Sequence, residues 1–196
     1  MKGYEFKEDI LIINRELTDL DHFVDDFLNI LKSHSDYLIV NGFVSISTGR
    51  VRGTEDVDVL VPIMDKSHFK TMFEDLLKNK FWCYQTDSYS EAYTYFKKFN
   101  SLRFAREGEM FPNMEVVPID ETKKAKYFEF SNPQKIKIKN FEFKIPWLEF
   151  EIIYKEKVLG SKKDFEDAKH LRTFFSEVLN KQKFDKSLEA IKNEIS

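Results

Sequence analysis

The change from strand-like to helical spacing of apolar residues between positions 56 and 85 constrains the fold of this chain most. Residues 56–61 alternate three valines with two aspartates and a leucine before Pro62, which is the period of two of a strand. Residues 66–80 then repeat Phe, Met and Leu at helical spacing, and the apolar-aromatic residues 81–85 follow as a second strand. This order of elements predicts a mixed α/β domain.

The flanking segments extend the pattern. Residues 17–34 have the spacing of an amphipathic helix, and the apolar run 37–40 ends at Asn41-Gly42, which favours a tight turn before a short helix over 43–47. Further on, we predict strands over 102–105 and 114–119, a hairpin over 136–145, and helices over 148–159, 165–179 and 184–195. We therefore expect an α/β (α+β) fold: a mixed β-sheet flanked by helices in residues 1–146, with a C-terminal helical cap in residues 147–196 packed on it as one compact unit.

Composition narrows the class of protein but not its partner. The chain has 196 residues, 20 of them Phe, so it can bury a full core, and its formal net charge of −3 neither indicates nor excludes nucleic acid binding. The single cysteine, Cys83, excludes an intramolecular disulfide and lies in an apolar-aromatic run, where we expect a buried structural thiol. The chain has neither a signal-peptide pattern nor an apolar run long enough to span a membrane, so we expect a cytoplasmic protein without a membrane partner.

Asp56 and Asp58 carry the most informative chemistry. Side chains two residues apart on a strand share a face, at about 7 Å between backbone positions, so the two carboxylates can converge on shared cations. Carboxylate oxygens are the ligands that Mg²⁺ selects, and paired ions serve in-line phosphoryl or nucleotidyl displacement. An isolated Asp-x-Asp is nevertheless common on surface strands, so the interpretation depends on its surroundings.

Those surroundings favour a phosphate-binding site. The turn at Asn41-Gly42 opens a short helix that contains Ser45, a geometry in which backbone N–H groups and hydroxyls can hold phosphate oxygens. The basic loop 49–53 brings Arg50 and Arg52, which can pair with triphosphate oxygens, and Lys155 can do so from the helical cap. For Arg50, a solvated surface cation is an equally good interpretation.

At this point the sequence resembles the nucleotidyltransferase superfamily, whose pattern is an apolar strand, Gly followed by Gly or Ser, and an Arg-x-Thr-x-Asp-x-Asp strand. Residues 151–155 and 163–167 also look like the Lys and Lys-Asp-x-x-Asp segments of its small bacterial and archaeal members, of the AbiEii-like or DUF6036-like kind. The chain departs from the pattern where Asn41 replaces the first Gly and Phe43 follows Gly42. The matching residues are Val40, Asn41, Gly42, Arg52, Thr54, Asp56 and Asp58.

The resemblance implies a nucleotidyltransferase-like fold and a Mg²⁺-dependent enzyme, with Mn²⁺ as a substitute, that passes NMP from an NTP such as ATP to an acceptor. It also implies a third carboxylate on a neighbouring strand, for which Glu115 is preferred over Asp120, as metal ligand and base. Asn41, Gly42, Ser45, Arg52, Thr54 and Lys155 then bind nucleotide, with Asp56, Asp58 and Glu115 as catalytic metal ligands. The acceptor stays open between protein, RNA and a small molecule, as does a toxin, antitoxin or homodimer partner.

The lysine series, two aspartates of the C-terminal region and the chain as a whole each have a second interpretation. Lys135, Lys137 and Lys139 lie on one face of a predicted strand, where they either protect a sheet edge from aggregation, which we favour, or contact RNA. Asp164 and Asp167 are interpreted as the N-cap and first turn of their helix rather than as site residues. The alternative for the whole chain is a catalytically inactive member of the fold that binds nucleotide or a protein partner.

Overall fold

The structure of the protein is a computed structural model, which describes residues 3–194. The expected end of the last helix at Ile195 lies outside the described residues, as do the first two residues of the expected region 1–146 and the last two of 147–196. Within the described part, every helix is too short or too polar to cross a bilayer. The fold is mixed α/β, as the sequence predicted, and the described residues form two mixed sheets and eight α-helices where one sheet was expected.

The larger sheet carries the acidic strand at an interior position. Its strand order is β3-β4-β7-β6-β5, and β4 runs parallel to β7, whereas the other neighbours are antiparallel. The strands are β3 (Leu38–Val40), β4 (Asp56–Pro62), β5 (Phe81–Cys83), β6 (Leu102–Arg106) and β7 (Asn113–Ile119). Each lies where the apolar pattern predicted a strand, and the buried thiol of Cys83 confirms the structural role expected for it.

The two faces of β4 serve different purposes. Its three valines are fully buried in the main core, beneath α1 (Asp19–Leu31), α3 (Lys66–Lys78) and α4 (Tyr89–Lys97). The opposite face carries Asp56 and Asp58 and then Leu60, which packs with Leu38 and Ile119 in a second apolar cluster. Phe130 of α5 (Lys124–Ser131) packs on that cluster, so the helix covers one end of the face and leaves the other end to the carboxylates.

A second sheet contains an element that the sequence pattern did not reveal. Its order is β1-β2-β8-β9, and β2 pairs in parallel with β8. The hairpin of β8 and β9 was predicted, but the N-terminal hairpin was missed because Glu8 and Asp9 form its turn with positive φ values, without the Asn-Gly or Gly signal of such turns. The four strands are β1 (Tyr4–Lys7), β2 (Ile10–Ile13), β8 (Pro133–Ile138) and β9 (Phe141–Pro146).

The position of β8 corrects the favoured interpretation of the lysine series. We expected Lys135, Lys137 and Lys139 to protect a sheet edge, but β8 lies inside its sheet, between β2 and β9, so that prediction is wrong. Lys135 instead pairs with Glu142 on β9 at 3.7 Å, and Lys139 pairs with Glu16 at 2.6 Å. These lysines serve as partners for neighbouring carboxylates.

The remaining helices enclose the site from one side. The short helix α2 (Gly42–Ser47) follows β3, and α6 (Leu148–Tyr154) continues into a π-helical turn, Lys155–Leu159, that ends at Gly160 in the left-handed conformation. Next come α7 (Lys162–Phe174) and α8 (Lys181–Ile191). Helix α7 packs on α2, and α8 packs on α5 and α6. Helices α4 and α5 were not predicted.

Candidate active site

Three acidic side chains and one arginine form a row across neighbouring strands. Asp58 on β4 is the direct partner of Glu115 on β7, and Glu115 is the direct partner of Arg103 on β6. Side chains of directly opposed residues share a face of the sheet. Asp56 lies two residues before Asp58 and joins the row at its open end. The strand pairing thus brings together the three carboxylates that the sequence nominated.

Burial and the neighbouring carboxylates together change the pKa of Asp58. Burial, the largest cause, and the charges of Glu115 and Asp56 raise that pKa, the hydrogen bond from Asn41 and the charge of Lys126 lower it, and the net result is a value of about 6. Two nearby negative charges and loss of water both disfavour a carboxylate ion. Asp58 therefore lies in a negative field that a cation relieves.

Asn41 connects the turn after β3 to this carboxylate. Its side-chain amide donates a hydrogen bond to Asp58 Oδ2 at 2.9 Å, while its backbone has φ 60° and ψ −128°. This backbone region is nearly exclusive to glycine, so an asparagine here is strained. The hydrogen bond from its side chain to Asp58 explains why Asn41 stands where the superfamily pattern has Gly.

Gly42, Arg52 and Thr54 come together immediately beside Asn41. A Cβ atom on Gly42 would lie 1.9 Å from Arg52 Nη2, so the arginine occupies the space that the missing side chain leaves. Thr54 Oγ1 donates to the backbone carbonyl of Asp56 at 2.8 Å and lies 3.4 Å from Asp56 Oδ1. The two parts of the sequence motif, 41–42 and 52–58, are therefore in direct contact.

Phe43 and Ser45 are both buried on the short helix α2. Phe43 is fully buried and packs against Phe143 of β9, with ring centroids 5.6 Å apart. Burial of such a ring stabilises the fold by roughly 2–3 kcal/mol, which explains a large residue directly after Gly42. Ser45 is also fully buried, and its hydroxyl has no hydrogen-bond partner among the described residues. The binding of phosphate by Ser45 stays a prediction.

A buried charge network joins the basic loop to the C-terminal helices. Asp167 is completely buried, and its carboxylate accepts a hydrogen bond from Arg50, lies 3.5 Å from Arg52 Nε and 3.1 Å from Lys155 Nζ. Lys155 is only 1% exposed and lies 3.2 Å from Glu151. Burial lowers the pKa of Lys155, but Glu151 and Asp167 raise it by more, so the ammonium stays charged. Nearby anions hold these cations together.

This network changes two interpretations from the sequence. Asp164 lies in the first turn of α7 and forms a capping box with Ser161, which is the N-cap in its place. Asp167, by contrast, is one turn further along and binds the loop arginines and Lys155, so its assignment to the first helical turn is wrong. Its signal in the sequence was its place in the Lys-Asp-x-x-Asp segment. Lys155, the first residue of the π-helical turn after α6, reaches these carboxylates instead of extending into solvent.

Glu115 and Asp120 are separated by the geometry of β7. Glu115 lies beside Asp58, whereas Asp120 follows the end of the strand and accepts hydrogen bonds from Thr122. Arg103 donates to Glu115 Oε2 through Nη2 at 2.8 Å and through Nε at 3.0 Å. Within residues 3–194, no three Asp, Glu, His or Cys side chains are already arranged around one ion position. The donor chemistry of Asp56, Asp58 and Glu115 fits a hard divalent cation, with Glu115 turned towards Arg103 in this conformation.

An open cleft of about 650 Å³ adjoins the motif. Arg52, Gly53 and Thr54 line one side of it, facing the start of α1 and the loop between β6 and β7. Phe111 in that loop is half exposed. A cleft of this volume accommodates a ligand of nucleotide size.

Comparison with known proteins bears on the fold. Neither a protein-family model nor a curated protein matches the chain. Among solved structures, the chain is similar to an antigenic nucleotidyltransferase-like protein from Paracoccidioides brasiliensis, with a TM-score of 0.51, 16% sequence identity and 90% of each chain covered.

The chain has a nucleotidyltransferase-like fold. The likeness does not distinguish the AbiEii-like or DUF6036-like kinds. In this nucleotidyltransferase-like fold, the acidic strand β4, the turn after β3 and the loop 49–53 meet at one end of the larger sheet. Two residues of this region were not nominated from the sequence: Arg103 and the buried Asp167. Arg103 became identifiable only through the pairing of β6 with β7.

Proposed function

We propose that the protein is a Mg²⁺-dependent nucleotidyltransferase that transfers NMP from an NTP to a hydroxyl group of an acceptor. The observation that carries this proposal is the contact of the acidic strand with the Asn41-Gly42 turn and Arg52. Binding of a nucleoside triphosphate requires metal ligands and hydrogen-bond donors to the phosphate oxygens. The carboxylate row provides the ligands, and the turn with Arg52 beside it provides the donors.

Asp56, Asp58 and Glu115 would hold the ion. Burial and the charges of Glu115 and Asp56 raise the pKa of Asp58, and a cation removes the repulsion among the carboxylates. When bound, Mg²⁺ neutralises negative charge on the phosphate oxygens of the substrate. Mn²⁺ has the same preference for oxygen ligands and serves as its substitute.

The chain's own residues orient the reactants. The oxygen of the acceptor hydroxyl forms a bond to the α-phosphorus of the NTP, and the bond from that phosphorus to the bridging oxygen breaks, which releases pyrophosphate. The hydroxyl proton passes to a carboxylate oxygen of Glu115, the third acidic residue of the row. Arg52 and the backbone at Gly42 face the phosphates, and Thr54 holds the strand at Asp56.

The acceptor is a protein hydroxyl, an RNA end or a small molecule. The cleft lined by Arg52, Gly53 and Thr54 is the space that we propose for it. ATP is the first nucleotide to test, and a toxin or antitoxin partner, or a second copy of the chain, is the expected assembly. We place the protein in the cytoplasm.

A binding module without turnover is the second candidate, and one observation favours it. Glu115, the carboxylate that would accept the proton, instead accepts two hydrogen bonds from Arg103 through the same oxygen, Oε2. Hydrogen bonds to the ionised form make a carboxylate a weaker base, which impairs transfer and leaves the nucleotide site in place. This candidate shares the nucleotide site but lacks the transfer step.

Calorimetric titration of ATP, GTP, CTP and UTP, with and without Mg²⁺, tests the site itself. We expect metal-dependent binding of at least one nucleotide by the wild type, and its loss in the Asp56→Asn, Asp58→Asn double variant because the metal ligands are gone. Asp120→Asn is the matched control and should bind like the wild type, since this carboxylate faces Thr122. Equal binding by the wild type and the double variant would disprove the site.

Turnover separates the two candidates. The wild type is incubated with an α-labelled NTP, Mg²⁺ and a cell lysate, and the label is followed in protein, RNA and small-molecule fractions. Metal-dependent transfer that is absent from the double variant supports the transferase and identifies the class of acceptor. Nucleotide binding without transfer to any fraction supports the binding module.

A further inference from the structure

Arg103 is more exposed to solvent than the other cations of this site. It is 46% exposed, whereas Arg52 is 12% and Lys155 is 1% exposed. Arg52 and Lys155 are both close to the buried Asp167, but Arg103 extends from β6 over the open face of the sheet. Exposed arginines exchange partners at small cost because water replaces the lost contacts.

The contact of Arg103 with Glu115 is of the exchangeable kind. Both of its hydrogen bonds go to the same oxygen, Glu115 Oε2, instead of one to each carboxylate oxygen as in the strongest arginine–carboxylate pairs. Glu115 itself is 18% exposed. The Arg103–Glu115 pair is therefore less restrained in its geometry than a buried bidentate arginine–carboxylate pair.

Arg103 is coupled to all three carboxylates of the row. Glu115, Asp56 and Asp58 each raise the pKa of its guanidinium, with Glu115 contributing most. A single positive charge thus offsets part of the repulsion among three negative ones. This is the electrostatic task that a divalent cation performs in the proposed function.

We propose that Arg103 is an exchangeable counter-ion of the carboxylate row: it competes with the divalent cation for Glu115 and, once displaced, binds a phosphate oxygen of the nucleotide. The inference rests on the proposed function, since it assigns a role at the same site. Ligation of a cation by both oxygens of Glu115 requires Oε2, the oxygen that accepts both hydrogen bonds from Arg103 in this conformation. A released guanidinium is a donor suited to phosphate oxygens.

Binding of Mn²⁺ tests the competition without any turnover. Free Mn²⁺ is counted by electron paramagnetic resonance in titrations of the wild type, Arg103→Gln and Arg103→Lys. We expect Arg103→Gln to bind Mn²⁺ about two- to fivefold more tightly, because removal of an exposed ion pair frees Glu115. Arg106→Gln is the matched control, since this arginine on the same strand pairs with Asp26 instead, and it should bind Mn²⁺ like the wild type.

Nucleotide binding tests the second half of the exchange. With Mn²⁺ saturating, calorimetry measures the affinity for the α,β-methylene analogue of the nucleotide that binds best, which cannot release pyrophosphate. Arg103→Gln should bind it at least tenfold more weakly because a charge-assisted hydrogen bond is lost, with Arg103→Lys in between. Thermal unfolding of each variant, with a midpoint near that of the wild type, excludes a general loss of structure.

The outcomes separate the inference from the function on which it rests. Wild-type binding of Mn²⁺ through Asp56 and Asp58, with no gain in Arg103→Gln, overturns the competition and leaves the proposed function intact. A gain in Mn²⁺ affinity with unchanged nucleotide affinity overturns the transfer of Arg103 to phosphate. If neither wild type nor Arg103→Gln binds Mn²⁺, both the inference and the metal site are wrong.

Discussion

At the scale of single residues, Asn41 shows how local strain and a polar contact are combined. Its backbone adopts the glycine-like φ of 60°, and its side chain bonds Asp58 Oδ2. A non-glycine residue in this region costs on the order of 1–3 kcal/mol. The hydrogen bond to Asp58 offsets part of this backbone strain, and substitutions can measure the bond and the strain separately.

Replacement of Asn41 by Ala and by Gly separates them. Both variants lose the bond to Asp58, but only Ala keeps the strain, so Asn41→Ala should be less stable than Asn41→Gly by about 1 kcal/mol or more in urea unfolding. Both should raise the pKa of Asp58 above its value of about 6, because that bond favours the ionised form. The carboxyl titration is followed by NMR in metal-free protein.

The pair of variants also has a clear negative outcome. If Asn41→Ala and Asn41→Gly unfold at the same urea concentration with equal slopes, the backbone at this position is not strained. If neither variant moves the Asp58 titration, the amide does not interact with the carboxylate in solution.

Individual residues were predictable from the sequence where a strand pattern fixed them. The alternation in residues 56–61 placed Asp56 and Asp58 on one face, and a motif added Arg52 and Thr54. Arg103 carried no such signal, because its relation to Glu115 depends on which strands pair and in what register. Register follows from the packing of the whole sheet, and a single sequence does not determine it.

At the scale of secondary-structure elements, helix α1 begins with an unusually complete cap. Thr18 and Asp21 form a capping box, and Arg15 donates to both oxygens of Asp21, at 2.6 and 2.8 Å. Burial raises the pKa of Asp21, but the bonds from Arg15 and Thr18 outweigh it and leave the pKa below its usual value of 3.8. The folded state therefore favours the ionised carboxylate.

The cap of helix α1 should make the unfolding free energy of the protein depend on pH. Because the pKa of Asp21 is lower in the folded than in the unfolded state, its contribution is present above the unfolded pKa of 3.8 and is lost as pH falls through the folded value. Asp21→Asn should cost roughly 3 kcal/mol of unfolding free energy near neutral pH and clearly less near pH 2 in urea titrations.

Asp19→Asn is the control, since this exposed residue in the same turn should change stability by less than about 0.5 kcal/mol. A cost for Asp21→Asn that is equal at both pH values would show that its charge does not contribute.

Elements with one clear periodicity were predictable, and elements with mixed faces were not. Helix α3 places Phe69, Met72 and Phe73 on a single buried face, and it was found from spacing. Helix α5 buries Ala125 and Glu129 instead, and Lys126 lies against the ring of Tyr154. A buried acid paired with a lysine has no apolar signature, so this helix was overlooked.

At the scale of the whole molecule, Asp167 links distant parts of the chain. From α7 it contacts Arg50 and Arg52 of the loop 49–53 and Lys155 of the π-helical turn after α6. The sequence predicted helices in this region, but not which of their side chains contact the basic loop. Only the docking of α7 on α2 brings the two together.

Loss of this carboxylate should affect both regions. Asp167→Asn leaves three cations without their shared buried anion, and we expect a loss of roughly 3–5 kcal/mol in unfolding free energy together with faster amide hydrogen exchange in residues 49–53. Glu166→Gln is the control: Glu166 is 49% exposed and pairs with Arg50 at the surface, so its removal should cost less than about 1 kcal/mol. Unchanged exchange in the loop of Asp167→Asn would disprove the link.

The parallel pairing of β2 with β8 has a consequence for synthesis of the protein. Ile10 is the partner of Lys135, and Ile13 is the partner of Ile138, so the N-terminal hairpin emerges from the ribosome long before its neighbouring strand exists. During that interval β2 presents an unpaired edge in the nascent chain, with apolar residues that later become buried. Pairings between strands so distant in sequence form slowly, so the hairpin of β1 and β2 is prone to aggregation until β8 has been synthesised and paired with it.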